Sequence, residues 1–339
     1  MSIHWTLAGV WNKSYDLLPE KEVRPRDYMY ASELCGAFLD RYLKMLGTKY
    51  TNPPTGRSER KFEGGTLLEQ IIKDVFIRLG LLKEHHRKVK YALSGCIPVS
   101  GESDFIVGGT ELDFDAAENH LNKAFLPPRT KERCFIMLSQ MREAYAGIVL
   151  KEYVFELKSV SSFVFDLRER AGCGYKTHEI QTFHYAKGFE QMAKLGYICR
   201  DDMRIQEFLV DHENAALQAT YTKDVETMTD LYVQKIQPPP EEPILFDDDA
   251  CTFSLNKKIE WSPYLEMCYG FKTPEDFRTK YAKFVGQINR VYKRCVNCDN
   301  MTKQNKEIIF EAKKTFPHWD DLVDLGKIAG IMTDETDED

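Results

Sequence analysis

Leu34, Phe38, Leu39, Tyr42 and Met45 recur at helical spacing, so residues 32–46 are predicted to form an amphipathic helix with Ser32 as N-cap and Gly47 as its stop. A Pro-rich loop follows at 52–56. A second apolar stripe, Leu67, Leu68, Ile71, Ile72, Val75 and Phe76, then predicts a helix over 66–79 that Gly80 closes. Beyond it the period shortens: 89–93, 97–99 and 105–107 are expected as short β segments of a meander, separated by Gly and Ser turns.

Residues 130–145 are predicted helical behind Pro127 and Pro128. Residues 148–157, rich in β-branched and aromatic side chains, suit a central strand that runs into Glu156-Leu157-Lys158. A third strong helix is expected over 177–195, ending at Gly196, then a strand over 203–210 and a helix over 225–236. Pro238, Pro239, Pro240 and Pro243 make 238–243 a stiff extended spacer. The remainder, including the helical stretch 274–292, is expected to be a C-terminal helical appendage (244–332) with an acidic, disordered tail (333–339). No internal repeat is visible.

A chain of 339 residues with 43% apolar side chains is long enough to bury a sizeable core. No apolar run approaches the ~20 residues that cross a bilayer, and no signal-peptide pattern opens the chain, so a cytoplasmic protein with no membrane-spanning segment is expected. Nine cysteines, an odd number, speak for reduced thiols rather than a secreted disulfide framework. The net charge of −7 is unlike that of a protein that coats nucleic acid, but charge is unevenly spread: 57–61 and 83–90 are basic, and each reads first as a solvated face. The sequence has no Gly-x-x-x-x-Gly-Lys-Ser/Thr loop, no Gly-x-Ser-x-Gly turn and no His-Glu-x-x-His pair. ATP-driven, serine-hydrolase and zincin chemistry therefore lack their usual signatures.

The candidate chemistry lies at the strand ends. Asp104, expected after a turn at 100–103, opens the apolar segment 105–107. Period-two alternation puts Glu156 and Lys158 on one face of their strand and Leu157 on the other. Glu-Leu-Lys alone is a common tripeptide, yet the lead-in Tyr153-Val154-Phe155 implies a buried strand whose charged end needs a reason to be there. Gln181 and Tyr185 share one face of the later helix, and Glu69 follows Gly64-Gly65 on the earlier one.

In this order the residues resemble the RecB-like exonuclease branch of the PD-(D/E)XK nuclease superfamily, whose members include phage-encoded and CRISPR-associated proteins. Gly65 and Glu69 are similar to its upstream Gly and His/Glu, Gly101 and Asp104 to its Gly-x-x-Asp, Glu156 and Lys158 to its (Asp/Glu)-x-Lys, and Gln181 and Tyr185 to its Gln-x-x-x-Tyr. The resemblance covers about 28–236. It implies an α/β nuclease core (1–237) with a central mixed sheet flanked by helices. The interval from Asp104 to Glu156 departs from the family in being longer than the simple turn it often has there, so a helical insert at about 110–148 is expected between the two catalytic strands.

It further implies a Mg²⁺- or Mn²⁺-dependent deoxyribonuclease, an exonuclease in DNA recombination or processing for a phage or mobile element in a bacterial cell. Its partners would be DNA and a recombination or annealing protein. Asp104 and Glu156 would bind metal with help from Glu69 and the Leu157 carbonyl. Lys158 would activate or orient the attacking water, Gln181 and Tyr185 would line the substrate groove, and Arg24 and Arg26 would touch phosphate. Many relatives carry a [4Fe-4S] cluster on one upstream and three downstream cysteines. Here Cys35, Cys268, Cys295 and Cys298, with Cys251, lack the compact spacing, so a cluster is not the favoured expectation, and Cys295-x-x-Cys298 equally suits half a zinc site or two unrelated thiols near the end of a helix. Two alternatives stand beside the leading one: a CRISPR-adaptation nuclease, and a DNA-binding or assembly subunit with a vestigial metal site. His178 and His184, which flank Gln181 and Tyr185, read as ordinary core or surface residues.

Overall fold

Residues 32–46 do not form one helix. In the computed structural model, which describes Ser14, 22–247 and 252–295, a two-residue strand β1 (Met29–Tyr30) leads into a 3-10 turn (Ala31–Glu33), and the helix α1 spans only Phe38–Met45. Gly36 sits in the break, where a Cβ would lie 2.8 Å from the Glu33 carbonyl oxygen. Gly47, at φ +74°, ends the helix as expected.

Helix α2 (Gly56–Arg78) begins well before the apolar stripe, because Thr55 caps it by accepting the Ser58 N–H at 3.3 Å. The basic residues 57–61 thus lie on its first turns. Strands β2 (Leu82–Tyr91) and β3 (Val99–Val107) form one long antiparallel hairpin, not three short segments, and 100–103 is strand rather than turn. The basic stretch 83–90 is β2 itself. Among the described residues β2 pairs only with β3, and charged side chains along such an edge discourage further strand pairing while masking the apolar alternation.

Between β3 and β4 (Tyr153–Val160) lie two helices, α3 (Phe114–Lys123) and α4 (Pro128–Tyr145). The remaining elements of this unit are α5 (Ser162–Ala171), α6 (Lys176–Phe189), β5 (Ala193–Cys199), β6 (Ile205–Val210) and α7 (Ala215–Val233). Helix α5 was not expected and α7 starts at Ala215 rather than at 225; two further departures alter the sheet itself. The helix predicted over 177–195 stops at Phe189, with Glu190 at φ +52°, and 193–199 is a buried strand. A continuous apolar run has no period of its own, so the segment reads equally as helix or strand. Gly196, expected as a helix stop, instead lets the Phe155 ring pack against β5: a Cβ there would meet Phe155 Cε1 at 2.6 Å.

The sheet is mixed, in the order β1-β3-β4-β5-β6, with β2 on the other edge of β3; β1 and β3 are parallel, as are β4 and β5. Helices cover both faces. Val154, Val160, Leu195 and Tyr197 point toward Phe183, Tyr221, Val225 and Met228 of α6 and α7, while Phe105, Phe155, Leu157 and Ile198 pack with Ile72 of α2. Arg41 of α1 forms a buried, two-pronged ion pair with Asp224 of α7 at 2.7 and 2.8 Å, and Asp224 also accepts the Cys35 N–H.

The chain divides into two compact units, the second comprising 50–53 and the residues from 239 onward. It is not wholly helical. A hairpin, β7 (Ile244–Asp247) with β8 (Thr252–Leu255), precedes α8 (Lys257–Glu260), α9 (Leu265–Tyr269) and α10 (Pro274–Cys295). Ile259, Leu265, Phe277 and Tyr281 form its core. The acidic tail lies outside the described residues, and no helix among them is long and apolar enough to cross a membrane.

Candidate active site

The site follows from the way β3 is paired. One edge of β3 is taken by β2 along its length, so β1 and β4 share the other: β1 pairs with Val99 and Ser100, and β4 with Phe105, Ile106 and Val107. Gly101 to Asp104 face a fork where neither neighbour is bonded. Continued by one residue, the β3–β4 register would set Asp104 opposite Glu156. The ladder ends before that, and the Asp104 carboxylate itself accepts the Leu157 N–H at 2.6 Å.

Glu156 is 2% exposed. Its Oε1 accepts from Lys158 Nζ at 2.6 Å and from Gln181 Nε2 at 2.8 Å, so alternation along β4 brings Glu156 and Lys158 together as expected. The Gln181 amide also donates to the Tyr185 hydroxyl at 3.0 Å, which in turn bonds the backbone of Glu102 on the open edge of β3. Gly101 makes room for this chain of contacts, since a Cβ there would lie 2.6 Å from Tyr185 Cε1 and 2.8 Å from the Ala31 side chain. Gly65 on α2 faces Ser159 of β4, with space for a Cβ at ordinary contact distance.

The electrostatics are those of crowded anions. Burial, then the charge of Glu156, holds the Asp104 carboxyl well above the usual carboxylate range, and the Leu157 N–H and Lys158 only partly offset this. Burial likewise raises Glu156 against the pull of Lys158. For Lys158 burial opposes the charge, but Glu156 and Asp104 outweigh it, so the amine is held above its ordinary range as an ammonium. Burial pushes the Tyr185 hydroxyl well up and keeps it protonated.

One atom lacks a partner that the protein could have supplied. Glu156 Oε2 is buried and has no partner in hydrogen-bonding geometry, although the Asp104 N–H lies close enough to this carboxylate to lower its pKa slightly. A buried carboxylate oxygen without a donor, beside a second carboxylate whose charge is disfavoured, suits a hard divalent cation, which takes oxygen ligands and often only one or two carboxylates. Asp104 and Glu156 could hold such an ion.

Glu69 of α2 is placed differently from the other acids. Its charge raises Asp104 and Glu156, so it is near them, but its carboxylate is engaged by two imidazoles: His85 Nε2 at 3.1 Å and His86 Nε2 at 3.3 Å. Among the described residues Glu69, His85 and His86 are the three-residue group whose ligand atoms converge, and no cysteine joins them. The histidines were hidden in a stretch that reads as a solvated basic face. The available signal was two adjacent imidazoles in a strand whose other residues are mostly Lys, Arg and Glu.

Other candidates are not drawn into the fork. Arg24 is exposed and pairs with Glu22 at 2.7 Å, while Arg26 pairs with Glu33 and lies over the Tyr30 ring; these contacts, rather than open guanidinium groups, are what the structure gives them. Cys35 packs against the core of the first unit, and Cys268 and Cys295 belong to the second. Cys251 and Cys298 lie outside the described residues. His184 is buried in the core and His178 is half-buried: burial lowers His178 to about 4, with the Lys158 charge a lesser cause, and His184 to about 3, and they contact the hydroxyls of Tyr197 (2.8 Å) and Tyr221 (3.0 Å) respectively.

No family model matches the chain, and no curated protein does. Among solved structures it is similar to the crystal structure of SSO0001, with 14% identity over 70% of this chain and 90% of that one (TM-score 0.34). It is also similar to that of an alkaline exonuclease, LHK-Exo from Laribacter hongkongensis, with 13% identity over 67% of this chain and 94% of that one (TM-score 0.39).

Proposed function

We propose that this protein is a Mg²⁺- or Mn²⁺-dependent deoxyribonuclease of the PD-(D/E)XK type that hydrolyses phosphodiester bonds at the fork between β3 and β4. The observation that carries this reading is the pair Asp104 and Glu156, with the donorless Oε2 of Glu156, set beside the Lys158 ammonium. A divalent ion bound there would neutralise phosphate charge and lower the pKa of a water. Asp104 and Glu156, with the Leu157 carbonyl, are the residues to hold it.

The remaining steps belong to the protein's own groups. Gln181 fixes Glu156 Oε1 and leaves Oε2 directed away from that bond. Tyr185 holds Gln181 by accepting its amide N–H and stays a neutral hydroxyl. Lys158, on the same face as Glu156, orients an attacking water by donating to it, and its proton is available to a phosphate or leaving oxygen.

Exonuclease action in recombination or DNA processing for a phage or mobile element, with a recombination or annealing partner in a bacterial cytoplasm, rests on the RecB-like order of motifs alone. The test is to incubate end-labelled linear and circular DNA with the protein in Mg²⁺, Mn²⁺ or EDTA, beside Asp104→Ala and Lys158→Ala. Metal-dependent cleavage lost in both variants is the expected result, with linear DNA cut and circular DNA spared if an end is required. Equal activity in the variants overturns the site, and a folded protein inert toward DNA with either metal favours a DNA-binding subunit.

A further inference from the structure

We propose that Glu69, His85 and His86 form a second cation site, distinct from Asp104 and Glu156, that takes a transition-metal ion such as Zn²⁺ in preference to Mg²⁺. The inference goes beyond DNA cleavage and is tested without it.

Strand geometry makes the cluster unusual. Successive strand residues project to opposite faces, so His85 and His86 should point apart. His86 instead has φ +56°, a left-handed conformation uncommon in a residue with a Cβ. The reversal brings both rings together, 3.6 Å between centroids, and aims both Nε2 atoms at one oxygen of Glu69.

The separations suit a metal. With ligand bonds of about 2.0–2.1 Å, the edge of a tetrahedron is about 3.3 Å. Glu69 Oε1 lies 3.1 Å from His85 Nε2 and 3.3 Å from His86 Nε2, and the three donor atoms lie within 4.8 Å of one another. His86 also presents its other nitrogen, Nδ1, to Glu102 at 3.2 Å. A carboxylate that accepts the second ring N–H of a histidine fixes its tautomer and orientation, the usual support for a metal-binding imidazole. His85 is steadied by stacking on Phe105.

The donor set decides the class of ion. Two imidazoles and one carboxylate favour Zn²⁺, Co²⁺ or Ni²⁺, whereas Mg²⁺ prefers oxygen ligands. His86 is 43% exposed, which leaves a coordination position open to water or a phosphate oxygen. A cation there would offset Glu69 and Glu102, two negative charges that otherwise face any polyanion approaching this edge of the fork.

The experiment uses the full chain freed of metal by chelation, then equilibrium dialysis against Zn²⁺ or Mg²⁺ with metal analysis. Wild type is compared with His85→Ala, His86→Gly and Asp104→Asn. Glycine suits the left-handed backbone, so His86→Gly removes the ligand while favouring the fold, and its metal-free melting temperature should match or exceed that of wild type. The expected result is one Zn²⁺ per chain that is bound at least tenfold more weakly by both histidine variants, is retained by Asp104→Asn and is not displaced by Mg²⁺. Unchanged Zn²⁺ binding in the histidine variants would leave the cluster a hydrogen-bonded imidazole pair and overturn the proposal. Equal weakening in Asp104→Asn would merge the two sites into one and overturn it as well. Should a variant fail to fold, X-ray absorption on Zn²⁺-loaded wild type decides: outer-shell scattering from two imidazoles supports the site, and an all-oxygen shell overturns it.

Discussion

Asp104 Oδ2 accepts the Leu157 N–H at 2.6 Å, one residue past the last β3–β4 ladder pair, Phe105 with Phe155. The carboxylate therefore replaces a strand carbonyl while standing in a cluster of like charge. The two roles separate in substitutions. Asp104→Asn keeps an acceptor for Leu157 and removes the repulsion with Glu156, so the metal-free protein should melt at a higher temperature. Asp104→Ala strands the amide and should be about 1–3 kcal/mol less stable than the Asn variant. Both should lower kcat for DNA cleavage by roughly 10²-fold or more if the carboxylate holds the metal. Thermal melts in EDTA beside cleavage assays check this; identical melting of the two variants would show that the Leu157 bond contributes nothing.

Gly101 and Gly196 provide a matched pair. A Cβ at Gly101 would press on the Tyr185 ring, and at Gly196 on the Phe155 ring, each at 2.6 Å. Alanine at either position should cost about 1–3 kcal/mol through overpacking in a dense core. Only Gly101→Ala displaces the Tyr185–Gln181–Glu156 chain, so it alone should also reduce kcat, by about tenfold or more. Denaturant melts and initial rates on one DNA substrate separate the two effects. A fall in kcat as large in Gly196→Ala would point to general loosening instead.

How far the sequence could be read depended on how each segment meets water. Strand β4 was legible because an apolar lead-in ends in charge, and Gln181 and Tyr185 were legible because their spacing places them on one helical face whatever the fold. Strand β5 was not, since burial on both sides erases periodicity. Strand β2 was hidden for the opposite reason: it is an edge whose solvent-facing residues are mostly charged. Its histidines were lost with it, because their meeting at Glu69 depends on the backbone reversal at His86, which no pattern of side-chain types announces. The fork itself is a property of pairing, set by where β1 and β4 divide one edge of β3, and so could be seen only in three dimensions.

The Arg41–Asp224 pair ties α1 to α7 inside the core, and Asp224 carries a third contact from the Cys35 N–H. Removing one partner leaves the other charge buried. Asp224→Ala should therefore destabilise the first unit by about 3–5 kcal/mol, whereas a double replacement by well-packed apolar residues of similar volume should recover much of that. Urea melts followed by near-ultraviolet circular dichroism are the measurement. A loss below about 1 kcal/mol in the single variant would show that the pair is solvated in solution.

His184 should give the protein an acid-side weakness. Burial lowers it from 6.5 to about 3, and its Nε2 has no partner. The unfolded chain binds the proton first, so the stability that a neutral His184 contributes is fully present above about pH 6.5 and is lost as pH falls toward the folded value, by roughly 1.4 kcal/mol per pH unit. Asp104 and Glu156 act with the opposite sign: their raised folded pKa values mean that the folded state takes up protons first, which adds stability as the solution is acidified. The sum of these effects conceals each of them. Comparing wild type with His184→Gln isolates the histidine, because the carboxylate contributions are common to both. With metal chelated, the difference in unfolding free energy should shift against wild type by about 2 kcal/mol between about pH 6.5 and 5. A difference that stays flat across that range would mean that His184 takes up its proton in the folded state, which requires Nε2 to reach water or an acceptor.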